Sequence, residues 1–256
     1  MTPEKKGLLH TVTRAMDLLN CFTYDNPEWT LTALSRKLGQ PKSVVFRLLS
    51  TLKEGDFISQ DPRTKRYRLG TAIYFLGAVA ESQMVLRKQA YEVMRNLADL
   101  TMETVILSLL DNHGSVCIEM IESPHRVKVM AEIGRRLDLY AGAPHKTLLA
   151  YYPEEDLDLA LPETLESYGP NSIVDRNLLI SQLAEIRAQG FAISQEERSP
   201  GVGSVSAPVR DKTSRVIASL SLAIPLNRFT DERMPELIDQ VREHAGQVSA
   251  KMGYRI

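Results

Sequence analysis

Cysteine is scarce in this chain, which holds only Cys21 and Cys117 among its 256 residues. A disulfide-stabilised scaffold needs several cysteine pairs, so that class of secreted fold is excluded. Neither cysteine has Cys or His companions at the spacing of a structural zinc site, and isolated cysteines are most often buried thiols. We therefore expect neither a metal centre nor a disulfide framework.

Long apolar runs and the short signatures of common enzymes are also missing. No stretch approaches 18 consecutive apolar residues, which predicts no transmembrane helix. The N-terminal stretch is interrupted by His10, Arg14 and Asp17, unlike the apolar core of a signal peptide. The sequence has no Gly-x-Ser-x-Gly, His-Glu-x-x-His, P-loop or Rossmann motif. We predict a non-enzymatic protein with no cofactor and no membrane partner.

Charge is present in ordinary amount but is unevenly distributed along the chain. Residues 1–78 carry 12 Lys and Arg against 7 Asp and Glu, a net charge of +5. Residues 79–256 carry 19 against 25, a net charge of −6. A short basic module ahead of a larger acidic body indicates an N-terminal head that binds a polyanion.

Residues 1–70 are predicted to form a winged helix-turn-helix head. Apolar spacing places helices at about residues 8–22, 32–38 and 41–54, with Thr32 as the N-cap of the second helix and Gly39 at its end. Two short strands then flank a polar turn at residues 61–65. Helix, turn, helix and hairpin in this order are typical of a domain that reads double-stranded DNA.

The rest of the chain is predicted to be a linker helix followed by an α+β domain. Residues 71–101 contain no proline and are expected to form one long helix that connects the domains. Over residues 102–256, strand and helix patterns alternate, with a strand at residues 127–133 and helices capped by Asp175 and Asp231. This pattern favours an antiparallel sheet with helices at its margins.

The solvent side of the third helix carries the candidate DNA contacts. An apolar stripe of Val45, Leu48, Leu49 and Leu52 faces the core, which leaves the opposite side free to enter the major groove. The hairpin adds four basic residues within six positions, a density suited to phosphate or minor-groove contact. The predicted DNA-binding residues are Thr32, Lys42, Ser43, Val44, Phe46, Arg47, Ser50, Arg63, Lys65, Arg66 and Arg68.

A candidate site for a small anion is visible in the body. The glycines of residues 201–204 allow backbone N–H groups to approach a ligand closely. Strand alternation places Ser204 with Ser206 on one face of their strand and Ser219 with Ser221 on one face of the next. If the strands pair with these faces matching, the serines could line a polar cavity. Gly142 enters a helix whose N-terminus would attract an anion. A plain tight turn and a solvent-facing polar strand remain the alternatives.

The head and the body together resemble the IclR family of bacterial transcriptional regulators. The head resembles the family at residues 31–39, 41–52 and 67–70, and the body at residues 101–105, 141–150, 185–192, 196–202 and 207–209. The resemblance covers nearly the whole chain in order. It implies a cytoplasmic DNA-binding dimer or dimer of dimers. It also implies a GAF-like effector-binding domain that senses a small molecule, often an organic acid.

The resemblance also indicates where the effector is expected to bind. Family ligand contacts, together with a serine on the same strand, match Gly142, Ala143, Val202, Ser204, Ser206, Ser221 and Ala223. This chain has Ser204 where members often carry Cys, and Ser194 or Gln195 where they carry Asp. Ala223 replaces a hydroxyl seen in some relatives. The loss of nearby acidic groups is compatible with an anionic ligand.

Basic residues and histidines near this site leave further alternatives open. Some family members hold a metal in this domain, for which His125 and His145 are candidates, although exposed or satisfied histidines are the simpler interpretation. Lys146 either attracts a ligand carboxylate or lies on the surface. Four basic residues form either a rim that attracts anions or an ordinary solvated surface: Arg126, Lys128, Arg135 and Arg136.

The sequence therefore predicts a sequence-specific transcriptional regulator, expected to be a repressor of a catabolic operon. Its affinity for a double-stranded DNA operator would change when a small organic-acid-like effector binds the C-terminal domain. An activator, or a nonspecific nucleic-acid binder that senses no effector, is the alternative.

Overall fold

The structure is a computed structural model that describes residues 9–255. The chain divides between Met84 and Val85 into two compact units. The predicted start of the first helix, at residue 8, lies outside the described residues.

The N-terminal unit is a winged helix-turn-helix, as predicted. Its helices and strands are α1 (His10–Leu19), α2 (Leu31–Leu38), α3 (Lys42–Glu54), β1 (Ile58–Gln60), β2 (Tyr67–Leu69) and α4 (Thr71–Ser82). Leu18, Leu34 and Leu49 of the first three helices form a core that Ile58 and Tyr67 of the antiparallel hairpin complete. Burial of these apolar side chains holds the helices in the relative positions that a DNA-reading head requires.

The ends of α2 differ in part from the prediction. The N-cap is Thr30 and not Thr32, because Thr30 has an extended backbone and its side chain accepts a hydrogen bond from the Ala33 N–H (3.2 Å). Thr32 lies exposed in the first turn. Gly39 ends the helix with a φ of +62°, as expected of a C-terminal glycine.

The prediction of one unbroken helix over residues 71–101 is wrong. Helix α4 ends at Ser82, and the N–H groups of Gln83 and Met84 bond to carbonyls three residues back. The Ser82 hydroxyl donates to the carbonyl oxygen of Val79 (2.7 Å), a local bond that competes with helix continuation. A second helix, α5 (Val85–Thr101), then begins in the C-terminal unit.

The C-terminal unit is built on one antiparallel sheet with strand order β5-β4-β3-β8-β7-β6. The strands are β3 (Thr104–Asp111), β4 (Gly114–Ile121), β5 (Arg136–Leu137), β6 (Ala192–Gln195), β7 (Val202–Arg210) and β8 (Val216–Pro225). The helices are α5, α6 (Ala143–Ala150), α7 (Leu157–Ala160), α8 (Arg176–Gln189) and α9 (Met234–Lys251). Helices α5 and α9 pack together and against the sheet, whereas α6 packs on β7 and β8 and also contacts α8.

One predicted strand and one predicted helix cap of this unit are wrong, and a second predicted cap is confirmed. Residues 127–133 form no strand, because side chains satisfy part of their backbone: the Thr104 hydroxyl, for example, donates to the Val129 carbonyl (2.8 Å). Asp231 does not cap α9, which begins three residues later at Met234. Asp175 does cap α8, accepting from two backbone N–H groups (2.7 and 3.0 Å).

Candidate nucleic-acid interface and ligand cavity

Helix α3 presents a polar face beside its buried stripe. Val45, Leu48 and Leu49 are buried. The exposed residues of the predicted interface on α3 are Lys42, Ser43, Phe46, Arg47 and Ser50. Val44 is half-buried and packs against the core of the head. The helix therefore offers hydroxyl, ammonium and guanidinium donors together with one exposed aromatic ring, groups that contact base edges and phosphates.

The tip of the wing is shaped by Asp61. Its Oδ1 accepts hydrogen bonds from the backbone N–H groups of Arg63 (2.9 Å) and Thr64 (2.7 Å), and these bonds lower the pKa of the carboxyl group. Lys65 adopts a φ of +58°, which reverses the chain toward β2. The side chains of Arg63, Lys65 and Arg66 are exposed at this tip.

Arg68 is placed differently from the other basic residues of the hairpin. Its Nη2 lies 3.1 Å from Asp61 Oδ2 and 3.4 Å from Glu28 Oε1. The guanidinium thus links the wing to the segment before α2 and is partly neutralised by two carboxylates. Arg68 stabilises the wing in this geometry, whereas Arg63, Lys65 and Arg66 remain available to phosphates.

The C-terminal unit contains a cavity of about 120 Å³ between the sheet and the start of α6. Five of the seven predicted effector-binding residues line it: Gly142, Val202, Ser204, Ser221 and Ala223. The other two lie beside it. Ala143 donates its N–H to Ser194 Oγ (2.9 Å), and Ser206 is fully buried opposite Ser221 in the strand register.

Serine hydroxyls from neighbouring strands meet at this cavity. The register pairs Ser194 of β6 with Ser204 of β7, and their Oγ atoms lie 2.7 Å apart. Ser221 of β8 donates to the carbonyl oxygen of Ile106 (3.3 Å). The solvent-facing alternative for the strand serines is wrong, because Ser204, Ser206, Ser219 and Ser221 are all buried. Hydroxyls both donate and accept, so this array can bind oxygen atoms of a small ligand.

Lys146 is buried and not on the surface. Its Nζ lies 2.5 Å from Glu197 Oε1 and 2.8 Å from Gln182 Oε1. Glu197 Oε2 accepts the N–H of Gly142 (3.0 Å), a residue whose φ of +96° favours glycine. The charges of Lys146 and Glu197 therefore neutralise each other, and their hydrogen bonds connect the start of α6 to the segment between β6 and β7.

Sequence reasoning missed Arg198 and the ligand-facing position of His145. Both side chains line the cavity. Burial and the nearby Arg198 charge lower the pKa of His145 to about 3, so its imidazole is neutral. The Arg198 guanidinium lies 4.6 Å over the ring of Tyr168. The available signals were a His directly before Lys146 and an Arg directly after Glu197.

The proposed rim and the metal alternative find little structural support. Lys128 pairs with Glu122 (2.6 Å), and Arg135 pairs with Glu132 (2.8 Å). Arg136 pairs with Asp111. Within residues 9–255, no three His, Cys, Asp or Glu side chains are grouped as a metal site would require. In the same range, no helix is long and apolar enough to cross a bilayer.

Two family models match the chain. The IclR helix-turn-helix domain matches residues 11–62, and the model described as "Bacterial transcriptional regulator IclR C-terminal" matches residues 78–250. These matches define a DNA-binding transcriptional regulator. The chain belongs to the IclR family. Members are non-enzymatic regulators that bind DNA through this head, so the predictions of the family and of a non-enzyme are confirmed.

Curated relatives and solved structures agree with this assignment. HTH-type transcriptional regulator KipR of Bacillus subtilis is 33% identical over 245 residues, covering 95% of this chain and 97% of KipR. HTH-type transcriptional repressor AllR of Escherichia coli is 29% identical over 227 residues, covering 88% of this chain and 84% of AllR.

An IclR transcriptional regulator from Alicyclobacillus acidocaldarius superposes with a TM-score of 0.85 at 30% identity, covering 96% of this chain and all of that one. An IclR homologue from Microbacterium hydrocarbonoxydans, crystallised with 4-hydroxybenzoate, has a TM-score of 0.82 at 21% identity. The superposition covers 94% of this chain and 98% of the homologue's chain. The α+β fold, with a winged head and an antiparallel-sheet domain, is thus the fold of this family.

Proposed function

We propose that this regulator is a repressor whose operator affinity is set by a small organic-acid effector bound in the cavity of the C-terminal unit. The observation that supports the proposal is that three buried serine hydroxyls, of Ser194, Ser204 and Ser221, line one cavity. Hydroxyl donors and a nearby guanidinium suit a carboxylate. The ligand of the Microbacterium homologue, 4-hydroxybenzoate, is also an organic acid, although that chain shares only the fold.

Repression is the direction that we propose for the output. The relative AllR is named a repressor, and a head that occupies an operator blocks transcription without needing a further contact. An activator is the alternative that the same fold permits. The nonspecific nucleic-acid binder is disfavoured by the net charge of −6 over residues 79–256, since a protein that only coats DNA gains nothing from a large acidic domain.

Self-association through α4 is part of this proposal. The helix has no buried residue, and Tyr74, Phe75, Leu76 and Val79 are all exposed. Several exposed apolar side chains on one helix are typical of a protein contact. We propose a second copy as the occupant, because a two-fold dimer presents two heads to the two half-sites of an operator. A cytoplasmic location follows from the proposed DNA target.

The test is selection of genomic fragments by the purified full-length protein, followed by sequencing, at near-physiological salt. Enrichment of a few pseudo-palindromic sites supports operator recognition by a dimer. Featureless binding that salt abolishes would favour the nonspecific alternative. Genes beside the enriched sites then define the small molecules to test. A small molecule that releases the enriched fragment in a mobility shift supports a repressor, whereas one that tightens binding contradicts release by the effector.

A further inference from the structure

The C-terminal unit contains a second cavity, at the opposite end of α6 from the effector cavity. Its volume is about 590 Å³, roughly twenty water-sized groups at ~30 Å³ each, against about 120 Å³ for the effector cavity. The two cavities share no lining residue. We call the larger one the distal cavity, and its main lining residues are Leu109, Leu110, Tyr151, Arg210, Val216 and Ile217.

Apolar side chains form most of the lining of the distal cavity. Leu109 and Leu110 lie at the end of β3, and Val216 and Ile217 lie at the start of β8; all four are half-buried. Leu110 and Val216 also pack against the core around α6, which fixes their positions. A concave, mostly apolar site of several hundred Å³ with a few polar groups is the usual form of a small-molecule site. The distal cavity therefore suits the apolar body of a small molecule.

Arg210 is the charged group that is held in place at this cavity. Its guanidinium carbon lies 4.6 Å from the centroid of the Tyr151 ring, and its Nη1 donates to the carbonyl oxygen of Ser214 (3.0 Å). Both contacts restrain the side chain, but neither neutralises its charge. Within residues 9–255, no Asp or Glu oxygen lies within 4 Å of the Arg210 guanidinium. A guanidinium has five N–H donors, so further donors are available to a carboxylate.

The neighbouring charges do not cancel that of Arg210. Arg215 also lines the cavity, and Asp211 lies near it. Hydrogen bonds within the β7–β8 turn, together with the Arg215 charge, hold the pKa of the Asp211 carboxyl group below its ordinary value, so this carboxylate is ionised and offsets Arg215. Glu154, just beyond the cavity, pairs with Arg187 (3.3 Å). One positive charge, on Arg210, is left for a ligand.

We propose that the distal cavity is a second ligand site, which binds a bulky monoanionic carboxylate with an aromatic or branched apolar body. Arg210 binds the carboxylate, and the leucine, valine and isoleucine side chains contact the body. Such a molecule is too large for the effector cavity. The concave shape and the single uncompensated charge match a small anion better than the broad contact that a second copy would make. The site is additional to the proposed effector site and does not depend on it.

The experiment is calorimetric titration of the full-length protein at pH 7.5 with three probes. Naphthalene-2-carboxylate has both the charge and the body, 2-naphthamide has the body without the charge, and acetate has the charge without the body. We expect the naphthoate to bind about 10- to 100-fold more tightly than either of the others, the range that a charge-assisted hydrogen bond supplies. Equal binding of the amide, or no binding of the naphthoate, would overturn the proposal.

Variants locate the bound probe. Arg210→Gln should remove the preference for the naphthoate over the amide. Ile217→Ala should weaken both double-ring probes alike, by about 3- to 10-fold, because it removes apolar contact and no charge. Lys212→Gln, an equal charge change at an exposed position in the β7–β8 turn, should behave like the parent protein. Equal losses for Arg210→Gln and Lys212→Gln would indicate long-range attraction and contradict the proposal.

Three further results would place the probe or the cavity in another role and overturn the proposal. If Arg198→Gln removes the preference and Arg210→Gln does not, the naphthoate occupies the effector cavity. If no variant changes its affinity, it covers an apolar surface elsewhere, such as the exposed residues of α4. If no probe binds and Arg210→Gln lowers the mass measured by light scattering, the distal cavity is a contact between copies. Circular dichroism of each variant establishes that a lost affinity is not a lost fold.

Discussion

Arg47 and Arg63 are the residues that we propose for two kinds of DNA contact in the head. Arg47 is exposed on α3 one turn after its N-terminus, and Arg63 is exposed at the wing tip. A guanidinium in the major groove reads guanine, whereas one at a phosphate does not distinguish sequences. The two residues should therefore differ in what their removal does to specificity.

Arg47→Ala should weaken operator binding by about 1–3 kcal/mol and leave binding to random DNA nearly unchanged. Arg63→Ala should weaken binding to the operator and to random DNA alike. It should also reduce the slope of log affinity against log salt concentration by about 1, which corresponds to the loss of one phosphate contact. Fluorescence anisotropy with operator and scrambled duplexes at several salt concentrations measures both effects. Retention of full operator affinity by Arg47→Ala would show that α3 does not read bases through this residue.

The charge of Asp61 and its structural role predict opposite effects of its removal on DNA affinity. Removal of a carboxylate beside DNA should strengthen binding if long-range charge dominates. Asp61 also holds the turn through the Arg63 and Thr64 N–H groups and restrains Arg68. We expect the structural effect to prevail, so Asp61→Ala should weaken binding in the same anisotropy assay. Glu54→Ala, an exposed carboxylate at the end of α3, is the control that should bind as well or better. Tighter binding by Asp61→Ala would refute the role of the turn.

The buried Lys146–Glu197 pair joins two elements, α6 and the segment after β6. Glu197→Gln leaves the Lys146 ammonium without its counter-ion inside the protein, so we expect a loss of about 3–5 kcal/mol in the free energy of unfolding. The double variant Lys146→Met with Glu197→Leu should recover much of that loss, because it removes both charges together. Urea denaturation measures the free energy of unfolding of the parent protein, the single variant and the double variant. A single variant as stable as the parent would contradict a buried, coupled pair.

Several elements defined by local signals were predictable from the sequence, although the Thr32 and Asp231 caps were placed wrongly, and elements defined by distant contacts were not predictable. The α3 stripe, the Gly39 stop and the Asp175 cap each depend on a few consecutive residues, and all three are present. Residues 127–133 have strand-like alternation, yet a hydroxyl from β3 bonds to their backbone. His145 and Arg198 likewise meet through the folding of α6 onto the sheet, a proximity that no spacing in the sequence encodes.

At the scale of the whole molecule, the exposed apolar residues of α4 are the surface that we propose for contact with a second copy. Phe75 is 66% exposed and Tyr74 is 82% exposed. Burial of apolar surface contributes roughly 25 cal/mol per Å², so two copies that cover these rings against each other gain a substantial part of a dimer contact. A dimer also doubles the phosphate contacts available to an operator, which couples assembly to DNA affinity.

Phe75→Glu should therefore convert the protein from a species of at least twice the 28.7 kDa chain mass into a monomer, as measured by light scattering after size-exclusion chromatography. Leu159→Glu, a matched change at an exposed apolar residue of α7, should leave the mass unchanged. The monomer should still bind a single half-site weakly, because the Glu lies outside α3 and the wing, but should lose cooperative binding to the full operator. A Phe75→Glu protein that keeps the parent mass would place the self-association surface elsewhere on the chain. Loss of half-site binding together with the mass change would indicate a damaged head and not a separated dimer.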